Sequence, residues 1–551
     1  MNWLLALLIV LVCFYLWSYH RDKQVRAKRN AQLLQNWGRP KTGDFDLVKI
    51  KRYREAMLQI ASSNQQIGDQ ENLDLDLDEV FMYLDRTITP IGQQYLYNKL
   101  HTPNANPLTH VQRQLEDGFA TTSELRQIAY AFLQPLNANE TYYFHYLFTH
   151  PLPTQHKQYT LAWALSLLHI VLLLVMWLYP LVSVLFILTL PINLIIHYKN
   201  KFRLYEYQNG ISQLRKIRYA FVNLAKTPLF HPFIQGKAYF TTLKGLTRLT
   251  HGFDNPIHGN EISTLVWFPI ELLKITFNIE SILFQRFAYK LDQNKQDLHE
   301  AFMAIGAIEL ALSNASCKVN TVTCTPTFHK EKRIDAKGIY HPLVENCVPN
   351  DLQLNNESLL LTGSNMSGKT TFIRTIALNL LLGQTLGFAF AQSLQAPFCR
   401  LQTSIRITDD LLEQTSYYLK EVATIKSFLD QSVTSNFNVF ILDEILKGTN
   451  TAERIAASTA ILRYLNNPTN LILVSTHDLE LVQLLANSSY ASYYFSEIFD
   501  VENQLHFDYT LKKGIPNTTN AIRLLQLYGY PEVIVEQALQ LKQGELIQKK
   551  E

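Results

Sequence analysis

The chain has 551 residues, which is enough for two or three domains, and a formal net charge of +3 at pH 7. Charged residues make up 18% of the chain and hydrophobic residues 47%, so it is poorer in charge than most soluble proteins. So small a positive charge gives no argument for nucleic-acid binding by itself. The five cysteines form no CxxC pair and have no histidine at zinc spacing, which indicates neither a disulfide framework nor a structural metal.

The N-terminus begins with a nearly unbroken apolar run from Asn2 to Tyr19, followed by a basic stretch between Arg21 and Arg29. This pattern predicts a membrane anchor at residues 1–20 whose C-terminal side lies in the cytosol. A cleaved signal peptide is the alternative. However, the basic residues follow the apolar run instead of preceding it, and no small-residue cleavage site comes after it.

A second apolar block runs from Thr160 to Tyr198 and is interrupted at Tyr179 and Pro180. Each half is long enough to cross a bilayer, so the block predicts a transmembrane helical hairpin. The basic residues that flank it predict that both ends are cytosolic; they are Lys157, Lys199, Lys201 and Arg203. A hairpin buried in a soluble helical core is the alternative. The sequence thus predicts an integral protein of the cell membrane with its remaining domains in the cytoplasm.

Two further segments have a different pattern. The apolar stretch 262–289 carries four charged residues, and this content favours a soluble helical core. The acidic alternation from Asp74 to Glu79 is most simply a solvated edge that leads into that core.

A glycine-rich turn lies between Leu359 and Arg374, where LLLTGSNMSGKTTFIR reads as an apolar strand, a loop and a helix. Glycines let backbone N–H groups close on phosphates at a helix N-terminus, and the lysine and threonine that follow contact phosphate and Mg²⁺. A chance match is the alternative. The pattern predicts a site for ATP and Mg²⁺, in which Lys369 binds the β- and γ-phosphates and Thr370 ligates the metal. The predicted nucleotide-binding residues here are Gly363, Ser364, Asn365, Met366, Ser367, Gly368, Lys369, Thr370 and Thr371.

Two carboxylates end the next buried-strand pattern, which begins at Asn438. A nucleotide hydrolase needs one carboxylate to hold the metal and one to orient or deprotonate water, so we assign these roles to Asp443 and Glu444 respectively. A later strand ends at His477, placed to sense the γ-phosphate. A lone histidine there is more often structural, but its position after the two other motifs favours function.

The amino-acid sequences of these motifs resemble those of the MutS mismatch-repair ATPases. The loop TGSNMSGKTT, the segment LDEILKGTNT from Leu442 and the STH that ends at His477 are similar to the family's nucleotide motifs. YHPLVE from Tyr340 resembles the entry to its ATPase, and FDYTLKKG with the later YPEVI resembles its closing strand and helix. The resemblance spans residues 336 to 545. In the N-terminal half, LDRTITPIG from Leu84 resembles the start of the helical core, and 291–313 reads as a long amphipathic helix.

This resemblance implies an α/β P-loop NTPase domain of the ABC type plus an all-α domain like the MutS core, here with transmembrane helices. The implied domains are an anchor at 1–20, a helical core in two parts at 45–159 and 199–325, the hairpin at 160–198, and the ATPase domain at 326–551.

The resemblance also implies a homodimer with composite ATP sites. Residues 408–421 resemble the segment that the partner subunit presents to the nucleotide, so Ser416 is implied to act on the opposite subunit's ATP. Asn365 is implied to contact the γ-phosphate. Gln414 stands where relatives usually carry glycine, and Cys347 where they often carry an aromatic that stacks on adenine. The strength of cross-dimer activation and the adenine-stacking residue therefore stay open.

Relatives that read mismatches carry two domains ahead of the helical core, whereas only a short stretch separates the predicted anchor from the predicted core here. We therefore expect no mismatch specificity. Two roles stay open: a DNA-binding role related to mismatch repair, or an ATPase that drives a membrane or protein partner without DNA. The sequence does not name that partner.

Overall fold

The computed structural model describes the chain outside residues 1–12, 15, 22, 26–27, 29–30, 32–33, 61–65, 152–155, 251–270, 365, 407–416, 435, 500–504, 517–521, 523–524, 527 and 549–551. Two compact units form: Met1–Ser63 with Leu84–Asn98 and Thr109–Val319, and Asn64–Tyr83 with Lys99–Leu108 and Asn320–Glu551. All described strands belong to the second unit. The molecule is thus helix-rich with mixed sheets, in agreement with a MutS-like domain. The predicted domain boundaries stay predictions, and most of the predicted anchor at 1–20 lies outside the described residues.

Helices form nearly all the regular structure before residue 320. They are α1 (Leu47–Ile60), α2 (Asp69–Asp74), α3 (Leu77–Leu84), α4 (Pro90–Leu100), α5 (His110–Thr121), α6 (Ser123–Leu133), α7 (Tyr146–Thr149), α8 (His156–Met176), α9 (Ser183–Leu224), α10 (His231–Ile234), α11 (Ala238–Thr250), α12 (Ile279–Gln293) and α13 (Lys295–Cys317). Short 3₁₀ helices lie at Gln134–Leu136, Asn139–Tyr143, Pro180–Val182 and Pro228–Phe230.

Helix α13 is the centre of the first unit, and its buried residues extend from Leu298 to Cys317 on nearly every side. At its middle, Glu309 Oε2 accepts hydrogen bonds from the backbone N–H groups of Ile88 at 2.6 Å and Thr89 at 2.9 Å. Gly92 permits this approach, because a Cβ at that position would collide with the Glu309 carboxylate. The LDRTITPIG segment is therefore a docking site for α13.

The helix predicted at 291–313 is two helices in the structure, which is a difference from the sequence prediction. Helix α12 ends at Gln293 and α13 begins at Lys295. Between them Asn294 leaves the helical conformation, with φ −127° and ψ 25°, and its side-chain N–H₂ donates to Lys290 O at 2.6 Å. An asparagine side chain that satisfies the last carbonyls of a helix ends it locally.

The apolar block forms a helical hairpin, in which α8 and α9 join through Pro180–Val182. Helix α9 does not end near residue 198 but continues to Leu224 through Pro191, so one helix forms the second arm and part of the helical unit. Tyr159–Met176 and Pro180–Lys199 are long and apolar enough to cross a membrane, with mean hydropathy 2.1 in each. Only 28% and 11% of these two windows are buried.

A break in a third helical segment packs against the hairpin. Residues 271–276 are helical, and the left-handed Asn278, with φ 48°, separates them from α12. Two hairpin side chains bind the carbonyls freed by the break: Asn193 Nδ2 donates to Thr276 O at 2.7 Å and Ser166 Oγ to Phe277 O at 2.6 Å. The described part of 262–289 thus packs on the hairpin.

Twelve strands are described in the second unit. They are β1 (Thr327–His329), β2 (Arg333–Ile339), β3 (Asn350–Asn355), β4 (Ser358–Thr362), β5 (Ser393–Pro397), β6 (Arg400–Ser404), β7 (Asn438–Asp443), β8 (Asn470–Thr476), β9 (Tyr490–Tyr494), β10 (Glu497–Phe499), β11 (Leu505–Phe507) and β12 (Lys512–Lys513). Its helices after residue 320 are α14 (Lys369–Thr385), α15 (Tyr417–Ser432), α16 (Thr451–Leu465), α17 (Leu479–Leu485) and α18 (Glu532–Gln548).

The largest sheet has the order β12-β9-β4-β8-β7-β6, in which all neighbours are parallel except the antiparallel pair β12 and β9. Strands β4 and β8 are buried throughout, as their continuous apolar sequences require. Thr362 pairs with Thr476, and Asp443 pairs with Ser475. The carboxyl ends of three strands therefore meet at one edge, where ligands of parallel sheets bind. A second sheet, β1-β5-β2-β3, and the hairpin β10-β11 complete the unit.

The acidic alternation is not a solvated edge, and that interpretation is wrong. Asp74 is fully buried, and its carboxylate accepts backbone hydrogen bonds from Ile405 at 3.0 Å and Arg406 at 2.7 Å. Asp76 pairs with Arg374 and Arg406. These aspartates therefore bind the segment after β6 and the helix α14 to their own part of the second unit.

Candidate active site

The glycine-rich loop leaves the buried strand β4 at Thr362 and enters α14 at Lys369. Three described residues in it have positive φ: Gly363 at 147°, Met366 at 75° and Gly368 at 101°. At Gly363 a Cβ would lie 2.8 Å from both Phe495 O and Ser367 Oγ, so only glycine fits there. The loop therefore has the close backbone turn at a helix N-terminus that its sequence predicts.

Lys369 turns back over this loop. Its Nζ donates to Gly363 O and Ser364 O, each at 2.8 Å. Burial lowers the pKa of Lys369, although Glu444 and Asp443 oppose that shift. The ammonium group is thus held at the mouth of the loop by two carbonyl oxygens, which an anion can replace as its partner.

Asp443 connects the ends of two strands to the helix that follows the loop. Its Oδ2 accepts a hydrogen bond from Thr370 Oγ1 at 2.9 Å, and its Oδ1 accepts one from Ser475 Oγ. The first contact joins the N-terminus of α14 to the end of β7, and the second joins β7 to β8. Carboxylate and hydroxyl oxygens are ligands that Mg²⁺ prefers, so this pair can hold that cation, directly or through water.

Glu444 follows Asp443 in a left-handed conformation, with φ 55°, and its backbone N–H donates to Ser475 O at 2.9 Å. Its Oε2 lies 3.0 Å from Lys447 Nζ and its Oε1 3.3 Å from His477 Nδ1. Burial by itself would raise the pKa of Glu444, but the hydrogen bond and charge of Lys447 and the adjacent His477 hold it below its usual value. Glu444 is therefore a carboxylate at neutral pH.

The turn after Glu444 is fixed by α15. Leu446 also has positive φ, at 59°, and its backbone N–H donates to Glu421 Oε1. Glu421 is buried, and burial raises its pKa, although the Leu446 hydrogen bond opposes this. Helix α15 thus orients the loop that carries Glu444 and Lys447.

These groups open onto a cavity of about 760 Å³. It is lined by six of the predicted nucleotide-binding residues together with both carboxylates. The lining residues that the sequence singled out are Ser364, Met366, Gly368, Lys369, Thr370, Thr371, Asp443, Glu444 and Cys347. His477, 48% exposed at its side chain, reaches the cavity through Glu444. Gly363 and Ser367 shape the loop below it.

Two predicted residues, Asn365 and Ser416, lie outside the described residues, as does Gln414, so their roles stay predictions. The roles assigned to the remaining site residues also stay predictions, although their side chains converge on one cavity.

The structure adds lining residues that the sequence prediction missed: Lys447, Asn350, Phe495 and Tyr509. Asn350 donates to Val348 O at 3.1 Å and Tyr509 O at 3.0 Å, and it accepts from Leu511 N at 2.7 Å. It therefore joins the segment at Val348 to the segment at Tyr509 and Leu511, which is distant in sequence, on one side of the cavity. Lys447 lies inside the motif LDEILKG and Tyr509 inside the motif FDYTLKKG, so the resemblance of these motifs to MutS could have identified both residues.

Comparison with known proteins finds a family model that matches the part of the chain that contains most of this site. The family model of MutS domain V matches residues 359–545, from strand β4 into helix α18. A DNA mismatch repair protein MutS from Natronomonas pharaonis is 28% identical over 260 residues, which cover 45% of this chain and 29% of that protein. The MutS proteins of Carboxydothermus hydrogenoformans and Aquifex pyrophilus are 28% and 29% identical, over 48% and 42% of this chain and 32% and 28% of their own length.

The chain thus spans less than a third of the length of these relatives. The matched part contains the loop that begins at Gly363, the two carboxylates Asp443 and Glu444, and His477. Residues 359–545 thus match MutS domain V, and the MutS relatives, which align over about 45% of this chain, support its membership of the MutS family.

Proposed function

We propose that this chain is a P-loop ATPase of the ABC type that hydrolyses ATP with Mg²⁺ and couples hydrolysis to movement of its helical unit. One observation carries the proposal: Lys369, Thr370, Asp443 and Glu444 line the same cavity, with Thr370 Oγ1 2.9 Å from Asp443 Oδ2. Phosphate-binding loops use this lysine and threonine beside a carboxylate from a neighbouring strand.

The residues present fit a nucleotide and its metal. Ser364 Oγ is buried without a hydrogen-bond partner among the described residues, and it lines the cavity. Lys369 offers a cation next to it, and the loop N–H groups lie at the N-terminus of a 17-residue helix, which favours anions. Thr370 and Asp443 would hold Mg²⁺, which supplies neutralisation of phosphate charge.

In the proposed reaction the chain positions ATP and one water molecule. Lys369 exchanges its two carbonyl partners for phosphate oxygens and stabilises the negative charge that shifts toward the leaving group. Glu444 accepts a hydrogen bond from the attacking water and orients it. Because its pKa is held low, it acts mainly by orientation and by accepting the proton late in the step. His477 senses the γ-phosphate through its contact with Glu444.

The adenine has a proposed platform as well. Cys347 lines the cavity but offers no ring, whereas Tyr509 lines it with an aromatic ring that is 46% exposed. Its backbone carbonyl is fixed by Asn350. We assign Tyr509 as the residue on which the base stacks, since aromatic faces bind bases with little dependence on identity.

The family relationship supports a homodimer in which Ser416 completes the ATP site of the opposite subunit. A mixing experiment tests this arrangement. Subunits with Lys369→Ala and subunits with Ser416→Ala are each inactive in the proposal, but a mixed dimer contains one intact composite site. Activity should return on mixing, with subunit exchange verified by a tag, and its failure to return contradicts the trans arrangement.

We further propose that the protein is integral to the cell membrane, with the ATPase domain in the cytoplasm. Support comes from the hairpin α8–α9, whose apolar side chains are largely exposed; Leu174, Trp177, Leu178 and Leu181 are each 70% exposed or more. Soluble proteins rarely expose contiguous apolar surface of this extent. The basic residues on both flanks support a cytosolic orientation of both ends.

For the biological role, the names of the relatives support a DNA-binding function related to mismatch repair. The apolar hairpin within the helical unit favours the second candidate, an ATPase that acts on a membrane or protein partner without DNA. Binding of the detergent-solubilised chain to duplex, mismatched and branched DNA across salt concentrations separates the two. Salt-sensitive binding supports the first role, and its absence at low salt supports the second.

The ATPase proposal is tested by phosphate release from the same preparation, with and without Mg²⁺. Asp443→Asn should remove most of the metal-dependent activity, whereas the matched change Asp430→Asn, at an exposed residue of α15 that pairs with Lys426, should leave it unchanged. Equal activity of wild type and Asp443→Asn would overturn the assignment of the site.

A further inference from the structure

Three acid–base side chains are buried together at the base of the hairpin. His197 lies on α9, Glu271 lies among the helical residues 271–276, and Glu280 lies in the first turn of α12. The three residues are 3%, 6% and 6% exposed. One ligand atom from each lies within 4.8 Å of the others. Three separate elements of the first unit therefore converge here, far in sequence from the nucleotide motifs.

Both ring nitrogens of His197 face carboxylates. Nε2 lies 3.2 Å from Glu271 Oε1 and Nδ1 lies 3.5 Å from Glu280 Oε2. A neutral imidazole has one N–H donor and one bare nitrogen, so one of these contacts sets a lone pair against an anionic oxygen. A cation bound between that nitrogen and the carboxylates removes the repulsion, while the other N–H donates to a carboxylate, as metal-bound histidines usually do.

The spacing agrees with a shared ion. Ligand atoms about 2.0–2.1 Å from a tetrahedral metal lie about 3.4 Å from each other. Only one ring nitrogen of His197 can bind the ion, so one of its two contacts, 3.2 Å or 3.5 Å, is a distance between ligand atoms, and either is close to this value. The full set of three ligand atoms lies within 4.8 Å. One imidazole nitrogen and two carboxylate oxygens, with no thiolate, suit Zn²⁺ and Mn²⁺ and do not suit soft ions. Lys274, 3.9 Å from Glu271 Oε2, is a cation that competes weakly for the same carboxylate.

We propose that His197, Glu271 and Glu280 bind one divalent transition-metal ion, with Zn²⁺ the best fit. The ion clamps the end of the apolar hairpin to the helix break at Asn278. The adjacent hydrogen bonds extend the same clamp, since Asn278 Nδ2 donates to Asn193 Oδ1 at 2.9 Å and Asn193 lies one turn before His197. The site would thus fix the hairpin to the rest of the helical unit. The hairpin would then follow the movement of that unit that we propose to be coupled to ATP hydrolysis.

The test begins with the whole chain in detergent, stripped with chelator, loaded with Zn²⁺ in excess Mg²⁺ and desalted. Elemental analysis should give about one Zn²⁺ per chain, and Co²⁺ in its place should give the visible absorption of a low-symmetry site. The variant Asp443→Asn, which lacks the metal carboxylate of the proposed ATP site, should retain this Zn²⁺. Absence of stoichiometric Zn²⁺, Mn²⁺ or Co²⁺ from wild type would overturn the proposal and favour an imidazolium paired with two carboxylates.

Variants then locate the ion. His197→Gln, Glu271→Gln and Glu280→Gln should each weaken Zn²⁺ binding by at least about tenfold, because each removes a ligand. His169→Gln is the matched control: His169 is fully buried in the same hairpin, but its nitrogens contact Leu165 O and Thr189 Oγ1 instead of carboxylates. Equal loss of Zn²⁺ in this control, or unchanged binding in both glutamate variants, contradicts the site. The melting temperature of each variant without added metal, measured in parallel, reports whether the variant has folded.

Discussion

Asp76 and Arg406 form an ion pair across 330 residues of sequence, with Arg406 Nη2 3.0 Å from Asp76 Oδ2. Asp76 also pairs with Arg374 on the helix that follows the phosphate-binding loop, at 3.3 Å. One carboxylate thus joins the loop helix to Arg406, which lies just before residues 408–421, the segment predicted to reach the partner's nucleotide. This relationship connects the two halves of the proposed composite site within one subunit.

The first prediction concerns this connection. Asp74→Asn should destabilise the second unit by about 1–3 kcal/mol, because it removes a buried carboxylate that accepts two backbone N–H groups. Asp76→Asn should lower ATP turnover more than nucleotide affinity, because both arginines lose their partner. Glu79→Gln, at an exposed residue of the same stretch, is the control for melting temperature and turnover. Wild-type behaviour of both aspartate variants would show that the pairs are incidental.

This stretch also shows how far sequence reasoning reaches. The loop, the two carboxylates and His477 were predictable, because each motif fixes a strand end and parallel neighbours bring strand ends together. Alternating acids, by contrast, read equally well as solvent-facing residues. Their partners Arg374 and Arg406 lie some 300 residues away, and no local pattern announces such a pairing. The side of the cavity that Asn350 forms with Tyr509 and Leu511 was missed for the same reason, because these partners are also distant in sequence.

The second prediction separates binding from chemistry at the proposed active site. Lys369→Ala should abolish detectable nucleotide binding, since the lysine contacts ground-state phosphates. Glu444→Gln should keep binding and slow hydrolysis by about 10²–10⁴-fold, because its carboxylate acts in the chemical step. Nucleotide affinity and single-turnover rates measure the two effects. A wild-type rate for Glu444→Gln would show that another group activates water.

A third prediction follows from the ion pair of Lys447 with Glu444, 3.0 Å apart. Lys447 holds the pKa of Glu444 below its usual value, so Lys447→Met should raise that pKa. Glu444 would then become protonated at higher pH, and the acidic limb of the turnover profile should move upward in pH. Lys426→Met, at an exposed lysine that pairs with Asp430, should leave the profile in place. If the limb does not move, Glu444 is not the group that the profile reports.

The fourth prediction concerns Glu309 in the helical unit. Burial raises its pKa to about 7, partly offset by its hydrogen bonds from Thr89 and Ile88. Between its ordinary value of 4.5 and about 7, the folded chain keeps a proton that the unfolded chain loses. Stability should therefore fall as pH rises through this window, by up to about 3 kcal/mol. Glu309→Gln should flatten this part of the melting profile, whereas Glu300→Gln, exposed on the same helix, should not. A profile unchanged by Glu309→Gln would contradict the assignment.

The last prediction tests the orientation of the hairpin. A cysteine at Leu181, which is 86% exposed at the turn between α8 and α9, should react with an impermeant maleimide added to intact cells. A cysteine at Lys199 should react only after the membrane is opened, because the basic flank keeps that end in the cytosol. The parent chain, with its own five cysteines, gives the background. Alkaline carbonate should leave the protein in the membrane pellet. Its release into the soluble fraction would mean that the exposed apolar side chains of the hairpin cover another protein surface instead of entering lipid.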